Sequence, residues 1–156
     1  MIIIIGSSSG IGKNVTEMLL SFDDVICTHF NNQSVFKKPN IKSQYLDLGD
    51  FSSIDNFILK NKASLKNITL VNLSAYSKDG LFYAYDNLDW LKTFDVNVNG
   101  PFYLIKKLLP TMISNKFGRI INISSYLANN GTIGASAYSS SKSALIGLTK
   151  TLSKEY

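Results

Sequence analysis

Apolar residues fall in short blocks along the chain, and their period changes from block to block. Ile2 to Ile5 is a continuous β-branched run, which predicts a strand buried on both faces, as in a parallel sheet. Val15, Met18 and Leu19, with the 20–22 region, recur at helical spacing and predict the first helix. Val25 to Phe30 predicts the second strand and Ser43 to Leu48 the third. The link from Asn31 to Lys42 contains Pro39 and is too short for a normal crossover helix, so this part is expected to be abbreviated. Asp50 to Lys60 predicts a helix with Ile54, Phe57 and Ile58 on one side and Asp50 or Ser52 as its cap. Ile68 to Leu73 predicts another buried strand. A helix from Asn97 to Ser114 carries Phe102, Ile105, Leu108 and Leu109, with Pro101 near its first turn, where proline is tolerated. Gly118 to Ser124 predicts a further strand, and Ala144, Leu145, Leu148 and Leu152 mark the last helix. Strand and helix alternate throughout, which indicates an α/β fold with a parallel sheet.

Composition narrows the class. A chain of 156 residues, 45% of them hydrophobic, suits one domain (1–156) with a real core and excludes disorder. The net charge of +5 comes from 16 basic and 11 acidic residues scattered along the chain. Pairs such as Lys37-Lys38 and Lys106-Lys107 occur but no long basic run, so the charge suits an anionic cofactor better than nucleic acid. Cys27 lies in an apolar run and reads as a buried thiol; no disulfide within the chain is possible, which suits a reducing, cytoplasmic setting. His29 is the only histidine, so a multi-histidine metal site is excluded. Met1 to Ile5 is too short for a membrane segment and has no basic leader, so no membrane association is expected.

Three stretches carry candidate chemistry. Gly6-Ser-Ser-Ser-Gly10-Ile-Gly12 follows the first strand and opens the first helix. Glycines there allow a sharp turn and close approach to a pyrophosphate, and the helix N-terminus offers free N–H groups. The spacing Gly-x-x-x-Gly-x-Gly differs from the commoner dinucleotide fingerprint. After the second strand stand Asn31, Asn32, Gln33 and Ser34, with no carboxylate before Asp47. An acid there would bind a ribose 2′-hydroxyl and a basic residue would tolerate a 2′-phosphate, so the segment leans towards NADP. Ser9 is neutral as well, leaving Lys13, Lys37 and Lys38 as possible cations or as plain surface lysines. Tyr138 and Lys142 stand one helical turn apart, so both side chains share a face. A neighbouring ammonium favours the phenolate, and a hydroxyl from Ser125 could polarise the same substrate oxygen.

Taken together these residues resemble the short-chain dehydrogenase/reductase family, and the likeness runs from Ile2 to the last residue. Gly6 to Gly12 fits the glycine motif, Asp47-Leu48 the adenine-contacting pair, and Asp95-Val-Asn97 the segment with the active-site asparagine. Gly118 to Ser125 fits the strand ending in the active-site serine, and Tyr138 with Lys142 the tyrosine and lysine pair. The resemblance implies a Rossmann-like, doubly wound sheet with helices on both faces and a hydride transfer between NAD(P)H and a small-molecule carbonyl or alcohol. It implies Tyr138 as general acid or base, Lys142 on the nicotinamide ribose, Ser125 on the substrate oxygen, and Asn97 holding a relay water. Cofactor contacts would come from Gly6, Ser8, Ser9, Gly10, Ile11, Gly12, Asn31, Asp47, Leu48, Asn72, Ser74, Tyr138 and Lys142. No metal is needed.

Three departures stand out. The family's Asn-Asn-Ala-Gly is here Asn72-Leu73-Ser74-Ala75. The link after the second strand is short. Family members also continue past the Tyr-Lys helix through two strands and a substrate lid, so the chain reads as a fragment or a naturally shortened member. Its 97–114 and 138–155 helices pair across a two-fold axis in the family, which implies a homodimer or homotetramer. The alternative reading is a non-catalytic nucleotide-binding or interaction module.

Overall fold

The structure, a computed structural model, describes residues 1–8, 10–19, 21, 24–31 and 40–156. Five parallel strands form one sheet: β1 (Ile2–Ile5), β2 (Val25–His29), β3 (Ile41–Tyr45), β4 (Ile68–Asn72) and β5 (Gly118–Asn122). Their order is β3-β2-β1-β4-β5, so the chain winds outwards in both directions from β1, a Rossmann-like arrangement. β1 lies at the centre with all four residues buried, which is why its sequence is unbroken isoleucine. The register puts Ile4 between Cys27 and Val71.

Helices cover the two faces unequally. Among the described residues α1 (Gly10–Leu19) covers one face, where Val15 and Leu19 pack on Ile2, Ile4, Val25, Cys27 and Val71. Burial pushes the Cys27 thiol up to about 11, so it is an inert core group. The other face carries α2 (Phe51–Asn61), α4 (Gly100–Ser114) and α6 (Ser136–Glu155) over Ile3, Ile5, Leu70 and Ile120. Asp50 caps α2 by accepting from Ser52 N at 2.8 Å, as its sequence predicts. Three short elements lie between β4 and α4: a 3-10 turn over Phe82–Ala84, α3 (Asn87–Phe94), capped by Asp86, and a π-helical turn over Asp95–Asn99. On α3 Trp90 stacks on Phe94 with ring centroids 5.0 Å apart. A further turn of helix, α5 (Leu127–Asn130), follows β5.

Several sequence expectations shift. β3 starts and ends earlier than Ser43–Leu48, because pairing of Val25 to His29 with Ile41 to Tyr45 sets its limits. Leu46 and Leu48 are buried beyond the strand, which explains why they drew the prediction forward. The α4 helix begins at Gly100, after the π turn, and Phe102 is 47% exposed while Leu104 faces the core. Met18 likewise faces out. α3 was not anticipated. The expected abbreviation of the 31–42 link lies largely outside the described residues. β5 is an edge strand; Ile121 on it and Ile123 just past its end are partly exposed. Among the described residues no helix is long and apolar enough to cross a membrane.

Candidate active site

At the C-terminal end of β1 the backbone is packed too closely for side chains. Gly6 has φ +81°, and a Cβ there would stand 2.9 Å from Ser74 N on the β4 side. A Cβ on Gly12 would lie 2.0 Å from Gly6 O, so the first turn of α1 presses directly on the turn that precedes it. Gly10, at φ +39°, faces open space instead, with nothing within 4 Å of an added Cβ. The turn is pinned sideways by Ser7, whose Oγ donates to Thr28 O at 2.9 Å, and by Leu73 N donating to Ile5 O at 3.0 Å. A helix N-terminus with an open glycine above it is the shape a pyrophosphate needs, so the turn fits a dinucleotide.

Beside it a cleft of about 910 Å³ runs over the ends of β1, β2 and β4 towards α3 and the π turn. Of the sequence-predicted cofactor residues, Gly6, Ser8, Asn31, Asp47, Leu48 and Ser74 line it. Asp47 Oδ1 accepts from Gly49 N at 2.8 Å, which fixes the carboxylate at the rim. A Cβ on Gly100 would lie 2.2 Å from Leu48 O, so the start of α4 wedges this segment in place. Asn72 does not line the cleft; its amide donates to Asn122 Oδ1 at 3.2 Å and accepts from Ser74 Oγ at 2.8 Å. Ile11 is 67% exposed on α1 and Ser9 lies outside the described residues.

The second half of the site is a cluster of buried polar side chains. Asn97 is fully buried within the π turn. Its Oδ1 accepts from Tyr76 N at 2.7 Å, and its Nδ2 donates to Tyr76 O and to Ser141 Oγ, each at 2.9 Å. Ser141 Oγ in turn donates to Tyr138 O at 2.7 Å. The asparagine thus clips the loop after β4 to the first turns of α6. Both its N–H groups are spent on protein atoms, so a water beside it has only oxygen to bind.

Lys142 is 2% exposed, and its ammonium donates to Ile123 O at 2.9 Å and Ser74 O at 3.4 Å. Burial lowers its pKa to about 8. The ammonium stands 5.8 Å from the centre of the Tyr138 ring. Ser124 Oγ donates to Lys142 O at 2.9 Å, and the next residue, Ser125, accepts from Leu127 N at 3.2 Å through its Oγ. The segment behind it is tied down where Gly80 N donates to Gly134 O at 2.9 Å. The structure thus draws Lys142, Tyr138, Asn97 and Ser74 into one assembly at the ends of β4 and β5. Sequence reasoning missed Tyr76 and Ser141, which reach Asn97 only across the fold.

Residues 1–156 match the short chain dehydrogenase family. The chain belongs to that family. It is 32% identical to the 3-oxoacyl-[acyl-carrier-protein] reductase FabG of Aquifex aeolicus, over 98% of this chain and 66% of that protein. The corresponding protein of Rickettsia conorii is 34% identical over 98% of this chain and 65% of its own length. The chain therefore spans about two thirds of the length of these curated relatives. Among solved structures, a 4-hydroxyisoleucine dehydrogenase complexed with NADH and succinate superposes with a TM-score of 0.87 at 28% identity. That match covers 99% of this chain and 72% of that one.

Proposed function

We propose that this chain carries the nucleotide-binding and proton-transfer machinery of an NAD(P)-dependent oxidoreductase acting on a small-molecule carbonyl or alcohol. The observation that carries the reading is Lys142: a nearly buried ammonium, bonded to the carbonyls of Ile123 and Ser74 and poised 5.8 Å from the Tyr138 ring. A bound nicotinamide cofactor would supply or accept the hydride. In reduction, the Tyr138 hydroxyl gives its proton to the substrate oxygen as that oxygen gains charge, and Lys142 stabilises the phenolate left behind. Ser125 donates a hydrogen bond to the same oxygen. In oxidation the phenolate takes the proton back. Asn97 holds the assembly in register, and its Oδ1 or backbone oxygen can anchor a water leading to Lys142.

The absence of a carboxylate among Val25 to Asn31 favours NADP over NAD at the ribose. Phe102 and Ile113, both about half exposed on α4, suit self-association through α4 and α6. Titration with NADPH and with NADH, read by cofactor fluorescence, tests the nucleotide site; NADPH is expected to bind more tightly. Tyr138→Phe tests the proton route: turnover should be lost with cofactor affinity kept, and surviving turnover overturns it.

A further inference from the structure

Tyr76 is held at both of its ends. Asn97 grips the backbone: its Oδ1 accepts from Tyr76 N at 2.7 Å and its Nδ2 donates to Tyr76 O at 2.9 Å. The far end is held from α3, where the Tyr76 hydroxyl donates to Asp89 Oδ1 at 3.0 Å. The other oxygen of that carboxylate takes the Lys78 ammonium. The hydrogen bond from Lys78 keeps the Asp89 carboxyl below the usual carboxylate range, and the bond to Asp89 raises the Tyr76 hydroxyl. At neutral pH the pair is therefore carboxylate and phenol, joined by a charge-assisted hydrogen bond. Asp89 is itself well placed: its side chain is 17% exposed, and the buried Thr93 donates through Oγ1 to Asp89 O at 2.7 Å.

Asp89 and Asn97 stand on one helical run, since the π turn continues α3 directly. The Tyr76 ring is a rigid spacer between them, so slack at its hydroxyl becomes slack at its backbone. That backbone leads to the rest of the site. Ser74, two residues earlier, offers its carbonyl to the Lys142 ammonium at 3.4 Å, and Asn97 reaches Tyr138 O through Ser141. Tyr76 lines the cleft and Asp89 does not, so Asp89 acts on the site through Tyr76 and not by contact. We propose that Asp89 is a positioning residue: by holding the Tyr76 hydroxyl it keeps the loop after β4 closed on Asn97 and on the Lys142 ammonium. This rests on the oxidoreductase reading above, which gives that ammonium its task. Lys78 stands outside the device, because its side chain is 58% exposed and an ion pair there contributes little.

The whole chain is tested, with Asp89→Ala, Tyr76→Phe, the double variant and Lys78→Met. The first readout is the titration midpoint of Lys142, followed through its Cε resonance by NMR. Burial lowers that midpoint to about 8, and the nearest ring is that of Tyr138, 5.8 Å away. A loosened loop admits water, so the midpoint should rise by about half a pH unit in Asp89→Ala and in Tyr76→Phe. The double variant should rise no further than either single one, because both remove the same bond. Lys78→Met should match the native chain. Exchange of the Tyr76 backbone N–H should quicken about tenfold in Asp89→Ala, with the chain still folded by urea unfolding. A midpoint and an exchange rate that stay native in Asp89→Ala overturn the proposal. So does a double variant whose shift is the sum of the two single shifts. If Asp89→Ala does not fold, Tyr76→Phe, which loses one hydroxyl, decides by the same two readings. Titration with NADPH and NADH checks the reading above separately: binding of neither sinks that reading and leaves the Lys142 midpoint to judge Asp89.

Discussion

The glycine turn and the Asn97 cluster lie on opposite sides of Ser74, and they are built by opposite means. The turn works by leaving side chains out: Gly6 and Gly12 let three pieces of backbone meet at distances a methyl group forbids. The cluster works by putting polar side chains in: Asn97, Ser141 and Lys142 are all buried, Asn97 bonding the Tyr76 backbone and Ser141 Oγ, Ser141 the carbonyl of Tyr138, and Lys142 that of Ile123. The first region is therefore intolerant of an added atom at Gly6 and Gly12. The second is intolerant of lost donors. Both converge on the loop after β4, the turn at Ser74 N and the cluster at Ser74 O and the Tyr76 backbone.

The sharpest way to break this contrast is Gly12→Ala. Its methyl would stand 2.0 Å from Gly6 O, and backbone meeting backbone has no rotamer to escape into. We expect nucleotide affinity to fall by about a hundredfold or more, with a clear loss of stability, in titration and denaturant unfolding. Gly10→Ala is the control: it meets open space, so only its positive φ counts, at about 1 kcal/mol. Equal behaviour of the two variants would dissolve the close-approach argument.

Next in size is Tyr138→Phe, which keeps the ring and removes the proton. Turnover should fall by about a hundred- to ten-thousandfold with cofactor affinity unchanged, as measured by steady-state rates beside fluorescence titration. Asn97→Leu follows. It keeps most of the volume but strands Tyr76 N, Tyr76 O and Ser141, at a cost of about 3 kcal/mol in the unfolding free energy. A loss well under 1 kcal/mol would mean that the cluster is not held by its hydrogen bonds.

The smallest effect is a pH dependence. In the folded chain the Lys142 pKa lies near 8, below its ordinary 10.5, so folding disfavours the charged form. The unfolded chain then holds more protons between those values, and stability rises with pH through that window. Between pH 7 and pH 9 this group should add about 1 kcal/mol. The gain should vanish in Lys142→Met, with both proteins followed by urea unfolding at each pH. Reduction, which uses the ammonium, should decline above about pH 8.

The two regions were not equally readable. β1 was plain because burial on both faces leaves a continuous apolar run, and the glycine turn because only backbone crowding asks for that spacing. Tyr138 and Lys142 were visible as one helical turn. α3 was missed although Asp86 signals its start: it is eight residues long and buries only Thr93, so no apolar stripe announces it. β3 was misplaced because Leu46 and Leu48, buried outside the sheet, imitate a strand. Ser141 and Tyr76 serve the site through partners far away in sequence, and local pattern carries no trace of that.

The stacked Trp90–Phe94 pair on α3 has a practical consequence. Trp90 is the only tryptophan, and its helix neighbours Leu91 and Lys92 line the cleft. Indole emission overlaps the absorption band of a reduced nicotinamide, so energy transfer from this one donor makes the chain its own label. Quenching of Trp90 on adding cofactor would report occupancy from one indole, with no dye attached.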